Sequence, residues 1–153
     1  MDKTDRKLLS LLQEDCTLSI AQLAEQVHLS QTPAWKRIQR LEATGVIERR
    51  VALLSPEKLG LGLTVFVSIE AGDHTPDWLE AFANAVTSFP EVVEVHRMAG
   101  DIDYMLRVVT SDIPAYDAFY KRLIAAVPLK NVSSRFSMER VKFTTALPIQ
   151  SAP

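Results

Sequence analysis

An α+β chain in two parts is predicted by three observations. Apolar residues recur at helical spacing over the first two-fifths of the sequence, the apolar period drops to two from Leu63, and the run Ser55-Pro56-Glu57-Lys58-Leu59-Gly60-Leu61-Gly62 separates the two regimes. The expected organisation is a helical domain with a connecting strand over residues 1–54, a linker over 55–62, and a second domain over 63–153. The 153 residues are 47% apolar and 24% charged, a balance that can bury real cores in one ordinary domain or two small ones.

Taken in order, the first helix runs from about Thr4 to Glu14 and contributes Leu8, Leu9 and Leu12 to a core. Ser19 precedes Ile20, Leu23, Ala24 and Val27, a second helical stripe, and His28-Leu29-Ser30 then leaves room only for a tight turn. Ser30 is placed to cap a third helix, and Pro33 in its first turn removes an N–H that lacks a helical partner in any case. In that helix Ala34, Trp35, Ile38 and Leu41 are expected on one wall, Thr32, Lys36, Gln39 and Arg40 on the other, with Arg37 at the edge. A basic helix face alone is most often a solvated surface. Here it belongs to the third helix of a helix-turn-helix unit, the helix that geometry offers to a DNA major groove, so Ser30, Gln31, Thr32, Lys36, Arg37, Gln39 and Arg40 are the candidate DNA contacts.

Charge distribution supports a local interface and argues against bulk attraction to polyanions. The net charge is −2, yet residues 36–50 hold five basic side chains against two acidic ones. So small a patch neutralises few phosphates, and at least a dimer is expected, reading half-sites about one helical turn apart. Val46 to Leu54 has strand character beyond Gly45, a candidate helix C-cap, and Arg49 and Arg50 on it are placed to touch DNA backbone or another chain.

The second part reads β-α-β-β-α-β. Leu63, Val65, Val67 and Ile69 alternate with Thr64, Phe66, Ser68 and Glu70, and Pro76 opens a helix bearing Trp78, Leu79, Phe82, Ala83 and Val86. Val92 to Ala99 and Tyr104 to Thr110 form a hairpin around Gly100-Asp101-Ile102-Asp103. Ser111 or Asp112 caps a helix with Tyr116, Tyr120, Leu123 and Val127 on one face, and Val132 to Phe143 is the last strand, with a bulge or an exchange of faces near Glu139-Arg140. This order is the ferredoxin-like arrangement, an antiparallel sheet with both helices on one side. Phe66, Met98, Phe136 and Met138 are expected on its uncovered face, ready to pair with a second copy.

A free amino acid needs acceptors for its ammonium and donors for its carboxylate. Asp101 and Asp103 can supply the first, Gly100 and neighbouring amides the second, and Thr144 or Thr145 a hydroxyl if the chain end folds back. On these residues alone, a plain turn is the simpler account of Gly-Asp-x-Asp.

The segments Leu29-Ser30-Gln31-Thr32-Pro33, Arg37-Ile38-Gln39-Arg40-Leu41-Glu42, Gly100-Asp101-Ile102-Asp103-Tyr104 and Thr144-Thr145-Ala146-Leu147-Pro148-Ile149, in this order, resemble the Lrp/AsnC (feast/famine) transcription regulators from Asp2 through Ile149. The resemblance implies a winged helix-turn-helix domain, a hinge strand, and an amino-acid-sensing ferredoxin-like domain that dimerises, often into an octameric ring of four dimers. It also implies effector binding between dimers, and tips Gly100, Asp101, Ile102, Asp103, Tyr104, Thr144 and Thr145 toward an effector site. Members like this often carry Cys where Ala34 stands, a departure expected to matter little on an inner face.

Catalysis is not expected. His28, His74 and His96 lack ligand spacing, no glycine loop cradles phosphate, and Cys16, the sole cysteine, has no evident base, so neither cofactor nor metal is expected. No apolar run approaches the ~18 residues of a membrane span, which places the protein in the cytoplasm without a membrane partner. The expected function is a sequence-specific, DNA-binding transcriptional regulator answering to an amino acid, the alternative being an architectural DNA-wrapping protein with no small effector.

Overall fold

In a computed structural model that describes residues 1–149, the chain divides into two compact units, one of residues 1–53 with residues 142–149, the other of residues 54–141. The first unit contains α1 (Lys3–Glu14), α2 (Ile20–Gln26) and α3 (Gln31–Ala43). Asp2 and Asp5 cap α1 reciprocally, each side chain accepting from the other's backbone N–H, and Ser19 and Gln22 do the same for α2. Ser30 stands at the N-cap of α3, but its hydroxyl makes no capping bond. Between α2 and α3 the chain reverses at His28, whose φ of 55° lies in the left-handed region, and the Leu29 N–H returns to the Ala24 carbonyl at 2.9 Å. Gly45, just past the C-cap Thr44, takes the same left-handed backbone, as its expected role at the end of α3 requires. Leu8, Leu23, Ala24, Ala34, Ile38 and Leu41 form the buried centre.

Two expectations about this unit change. Trp35 is 48% exposed. At 100° per residue it lies about 90° from the centre of the Ala34, Ile38 and Leu41 stripe, farther out than Arg37 at about 70° on the other side. The Val46 to Leu54 segment forms no strand, and Val51, Leu53 and Leu54 are exposed. A strand exists only by pairing, and no other stretch of this chain pairs with it, so the three helices stand without a β wing among the described residues.

The second unit has the expected element order: β1 (Leu63–Glu70), α4 (Pro76–Ser88), β2 (Val92–Arg97), β3 (Tyr104–Thr110), α5 (Ile113–Ala126) and β4 (Asn131–Phe136). The sheet is antiparallel throughout in the order β2-β3-β1-β4. Thr75 caps α4 ahead of Pro76, and Asp112 caps α5. Val65, Val67, Ile69, Leu106 and Val108 point from one sheet face into a core shared with Trp78, Phe82 and Val86 of α4 and Tyr116, Phe119 and Leu123 of α5.

The final strand is shorter than its sequence suggests. β4 pairs with β1 from Val65 to Glu70, and the Ser137 N–H on the Thr64 carbonyl carries the ladder to within one residue of the start of β1 at Leu63, so residues well past Met138 have no strand to bond. Glu139-Arg140 therefore lies beyond the sheet as neither bulge nor face exchange, and residues 142–149 group with the helical unit instead of the second domain. There the Gln13 amide donates to the Leu147 carbonyl and accepts from the Leu147 N–H, each at 2.9 Å. The open sheet face also differs from expectation. Phe66 lies on it, but Phe136 pairs with Val65 and points with that residue toward α5, its ring 5.3 Å from Tyr116. Met98 and Met138 fall outside the strands. Around Phe66 the open face is polar, with Arg107 donating to Glu94 at 2.6 Å, His96 3.4 Å from Glu94, and Arg135 bonded to Ser68.

Among the described residues no helix is long and apolar enough to cross a membrane, and no three metal-ligating side chains gather.

Candidate functional site

Two groups of residues are candidates for chemistry beyond folding, one in each unit. In the helical unit, Ser30, Gln31, Thr32, Lys36, Gln39 and Arg40 are exposed along α3, and the helix buries Ala34, Ile38 and Leu41 on its opposite side. The outward set presents hydroxyl, amide and ammonium groups, the donors and acceptors that match phosphates and base edges. Some of these groups also bond within the protein. Gln39 donates to Glu42 at 3.0 Å, and Arg50 bonds the other oxygen of the same carboxylate at 2.8 Å.

Arg37 and Arg40 turn toward α1. One Arg37 nitrogen donates to Asp2 at 2.6 Å and to Asp5 at 2.8 Å, while Arg40 reaches the second oxygen of Asp5 at 2.8 Å. Asp5 is 1% exposed, so its charge is held inside the unit by two guanidinium groups. Sequence reasoning missed these acidic partners. The legible signal was Asp2-x-x-Asp5 ahead of an apolar stripe, the spacing of a capping box.

In the second unit, the loop after β2 brings Asp103 to the end of β1. The Met98 N–H bonds the Asp103 carbonyl at 2.8 Å, closing the hairpin, and the Asp103 N–H reaches the Ile69 carbonyl at 2.9 Å. One carboxylate oxygen of Asp103 accepts from the Ala71 N–H at 2.7 Å. The other lies 3.8 Å from His74 Nε2, and the carboxylate remains partly open to solvent. Gly100 has φ of 130°, which only glycine takes readily, yet nothing lies within 4 Å of where a Cβ would be. Its role in this chain is the turn and not a close backbone approach.

The expected effector residues thus separate. Asp101 is exposed, while Ile102 and Asp103 are half-buried at the loop. Tyr104 turns its ring into the aromatic core, 4.5 Å from Phe82 and 6.3 Å from Trp78. Thr144 and Thr145 belong to the other unit, where the Thr144 hydroxyl accepts from the Ala146 N–H and Thr145 lines an apolar cavity of about 650 Å³ with Leu9, Leu12 and Leu147. Ala71, which the sequence reading did not mention, and His74, which it weighed only as a metal or catalytic residue, join Asp103 instead. They sit in a loop without periodicity, and only pairing between β1 and β3 brings that loop to the hairpin.

Comparison with known proteins extends this picture. Residues 1–42 match the AsnC-type helix-turn-helix domain, and residues 64–147 match the Lrp/AsnC ligand binding domain. The chain is 54% identical to the DNA-binding transcriptional activator DecR of Escherichia coli (strain K12), over 98% of this chain and 99% of that one. Identity to the glutamate uptake regulatory protein of Zymomonas mobilis is 49%, over 97% and 91% of the two chains. Among solved structures, an AsnC family transcriptional regulator from Agrobacterium tumefaciens superposes with a TM-score of 0.96 at 56% identity, covering all of both chains. A transcriptional regulator from Neisseria meningitidis in complex with L-Met does so with a TM-score of 0.93 at 35% identity, over 97% of each chain.

Proposed function

Because the chain belongs to the Lrp/AsnC family of DNA-binding transcriptional regulators, with a helix-turn-helix and a ligand-binding domain, we propose that its ligand is a free amino acid held at the Asp103 corner and that the outward residues of α3 contact the operator. The observation that carries the ligand half is the Asp103 carboxylate. One oxygen is fixed by the Ala71 N–H, so the group is held in place while its other oxygen stays available to the ammonium of a ligand. The likeness to a regulator whose structure holds L-Met supports the same ligand class.

The protein acts as an oligomer. A dimer doubles the phosphate contacts of a modest basic patch, and the open sheet face, with Phe66 39% exposed amid polar side chains, is the surface for that pairing. Four dimers make the octamer, and the amino acid binds where dimers meet. Such a ligand changes DNA binding only if it prefers one arrangement of the reader helices over another, a coupling of about 1–3 kcal/mol in typical cases.

Thermal-shift measurements against the twenty amino acids test the ligand. A ligand at about one hundred times its Kd stabilises the folded state by about 2.7 kcal/mol, and the matching amino acid is expected to raise the Tm accordingly. Asp103→Asn keeps an acceptor for the Ala71 N–H but loses the charge, and is expected to abolish that rise. A panel without any shift would favour the architectural DNA-wrapping role, and an undiminished shift in Asp103→Asn would remove the corner from the site.

A further inference from the structure

We propose that Asp2 and Asp5 act as an internal stand-in for DNA phosphate, Asp5 fixing the reader arginines in place and Asp2 occupying Arg37 until a phosphate displaces it. This assignment rests on α3 being the DNA-facing helix.

The geometry distinguishes the two carboxylates. Asp5 is 1% exposed and spends one oxygen on Arg37 and the other on Arg40, residues one helical turn apart on α3. Asp2 is 55% exposed and meets Arg37 at the border with solvent. The Asp5 carboxylate, buried at its end of both bonds although Arg40 itself is 57% exposed, is shielded from competing ions, whereas the exposed Asp2 carboxylate is screened and exchangeable. An oxyanion approaching Arg37 from solvent therefore competes with Asp2 and not with Asp5.

Asp2 cannot follow its arginine outward. Its second oxygen accepts from the Asp5 N–H at 2.8 Å as the cap of α1, so the carboxylate stays with that helix when Arg37 changes partner. Asp5 meanwhile keeps the guanidinium oriented, and less side-chain freedom is lost on binding. Before docking the two acids neutralise two of the three cations of α3, leaving Lys36 outside the cluster. Stray polyanions then meet a helix of low outward charge, and only a phosphate placed at Arg37 recruits that arginine.

Counterion accounting makes the exchange measurable. Each phosphate contact on duplex DNA normally releases about 0.9 cation, but an Asp2 carboxylate left without its arginine gathers cations around itself, offsetting part of that release. Asp2→Asn removes the charge and retains a good helix cap, with Asp2→Ser as a second capping variant should the first fold poorly. In fluorescence anisotropy with a mixed-sequence duplex, the full-length variant is expected to bind more tightly than wild type at low salt. Its log K against log salt plot should steepen, by up to about 0.9 per bound protomer, so that its advantage shrinks by up to about threefold per protomer between about 50 and 200 mM salt. In an Arg37→Gln background the same Asp2 substitution should leave the slope unmoved, an outcome that general removal of a negative charge does not give. Equal slopes for wild type and Asp2→Asn, or equal steepening with and without Arg37, would overturn the stand-in while DNA binding by α3 survives. Absence of any duplex affinity in wild type would overturn the DNA-facing assignment and the stand-in with it.

Discussion

Asp5 keeps its charge at 1% exposure because its surroundings are arranged for the anion. Burial pushes its carboxyl pKa up, but the Asp2 N–H and the Arg37 guanidinium together with Arg40 outweigh both burial and the neighbouring Asp2 charge, and the pKa is lowered. A group more acidic in the folded than in the unfolded chain contributes stability above its unfolded pKa and loses it as the pH falls through the folded value. The helical unit is therefore expected to unfold more readily at about pH 3 than at about pH 7, and Asp5→Asn should flatten that dependence in urea titrations followed by circular dichroism. Which arginines meet Asp5 was only partly visible in the sequence. Helical angles place Arg37 nearer the buried stripe than Trp35, but hydrophobicity argues the other way for both residues, and angle prevails because Ala34, Ile38 and Leu41 already fill the contact with the other helices.

Elements were legible where a local period or cap defines them and less so where pairing does. Ser19, Thr75 and Asp112 mark helix starts with bonds to backbone within three residues, and the alternation from Leu63 to Ile69 states which face of β1 is buried. The end of β4 has no such local mark. Phe143 and Val141 look as strand-like as Phe136, and only the length of β1 decides that they are not strand. The face of Phe136 was hidden for the same reason, since its side depends on register with Val65. The loop that carries Asp103 depends on Gly100 at φ 130°. Gly100→Ala is expected to cost about 1–3 kcal/mol in urea unfolding and to weaken amino-acid binding by displacing Asp103. Unchanged stability and binding would show that the loop tolerates a side chain there and that its backbone does not set the site.

At the scale of the whole molecule, each unit has its own buried core, and the two proposed sites fall one to each unit. The sequence indicated both cores and the α3 face, because these depend on residues close along the chain. It could not bring Ala71 and His74 to Asp103, or assign Thr144 and Thr145 to the unit of the helices, because those outcomes depend on which distant segments meet. The central claim is that the outward face of α3 reads duplex DNA while its inner face holds the fold. Thr32, Lys36 and Gln39 test it best, since none of them bonds Asp5 and all three are exposed. The decisive measurement is anisotropy of full-length Thr32→Ala/Lys36→Ala/Gln39→Ala against a selected operator and a scrambled duplex. The account predicts an unchanged Tm with operator affinity reduced to the scrambled level, whereas wild-type affinity and preference for the operator in the triple variant would contradict it.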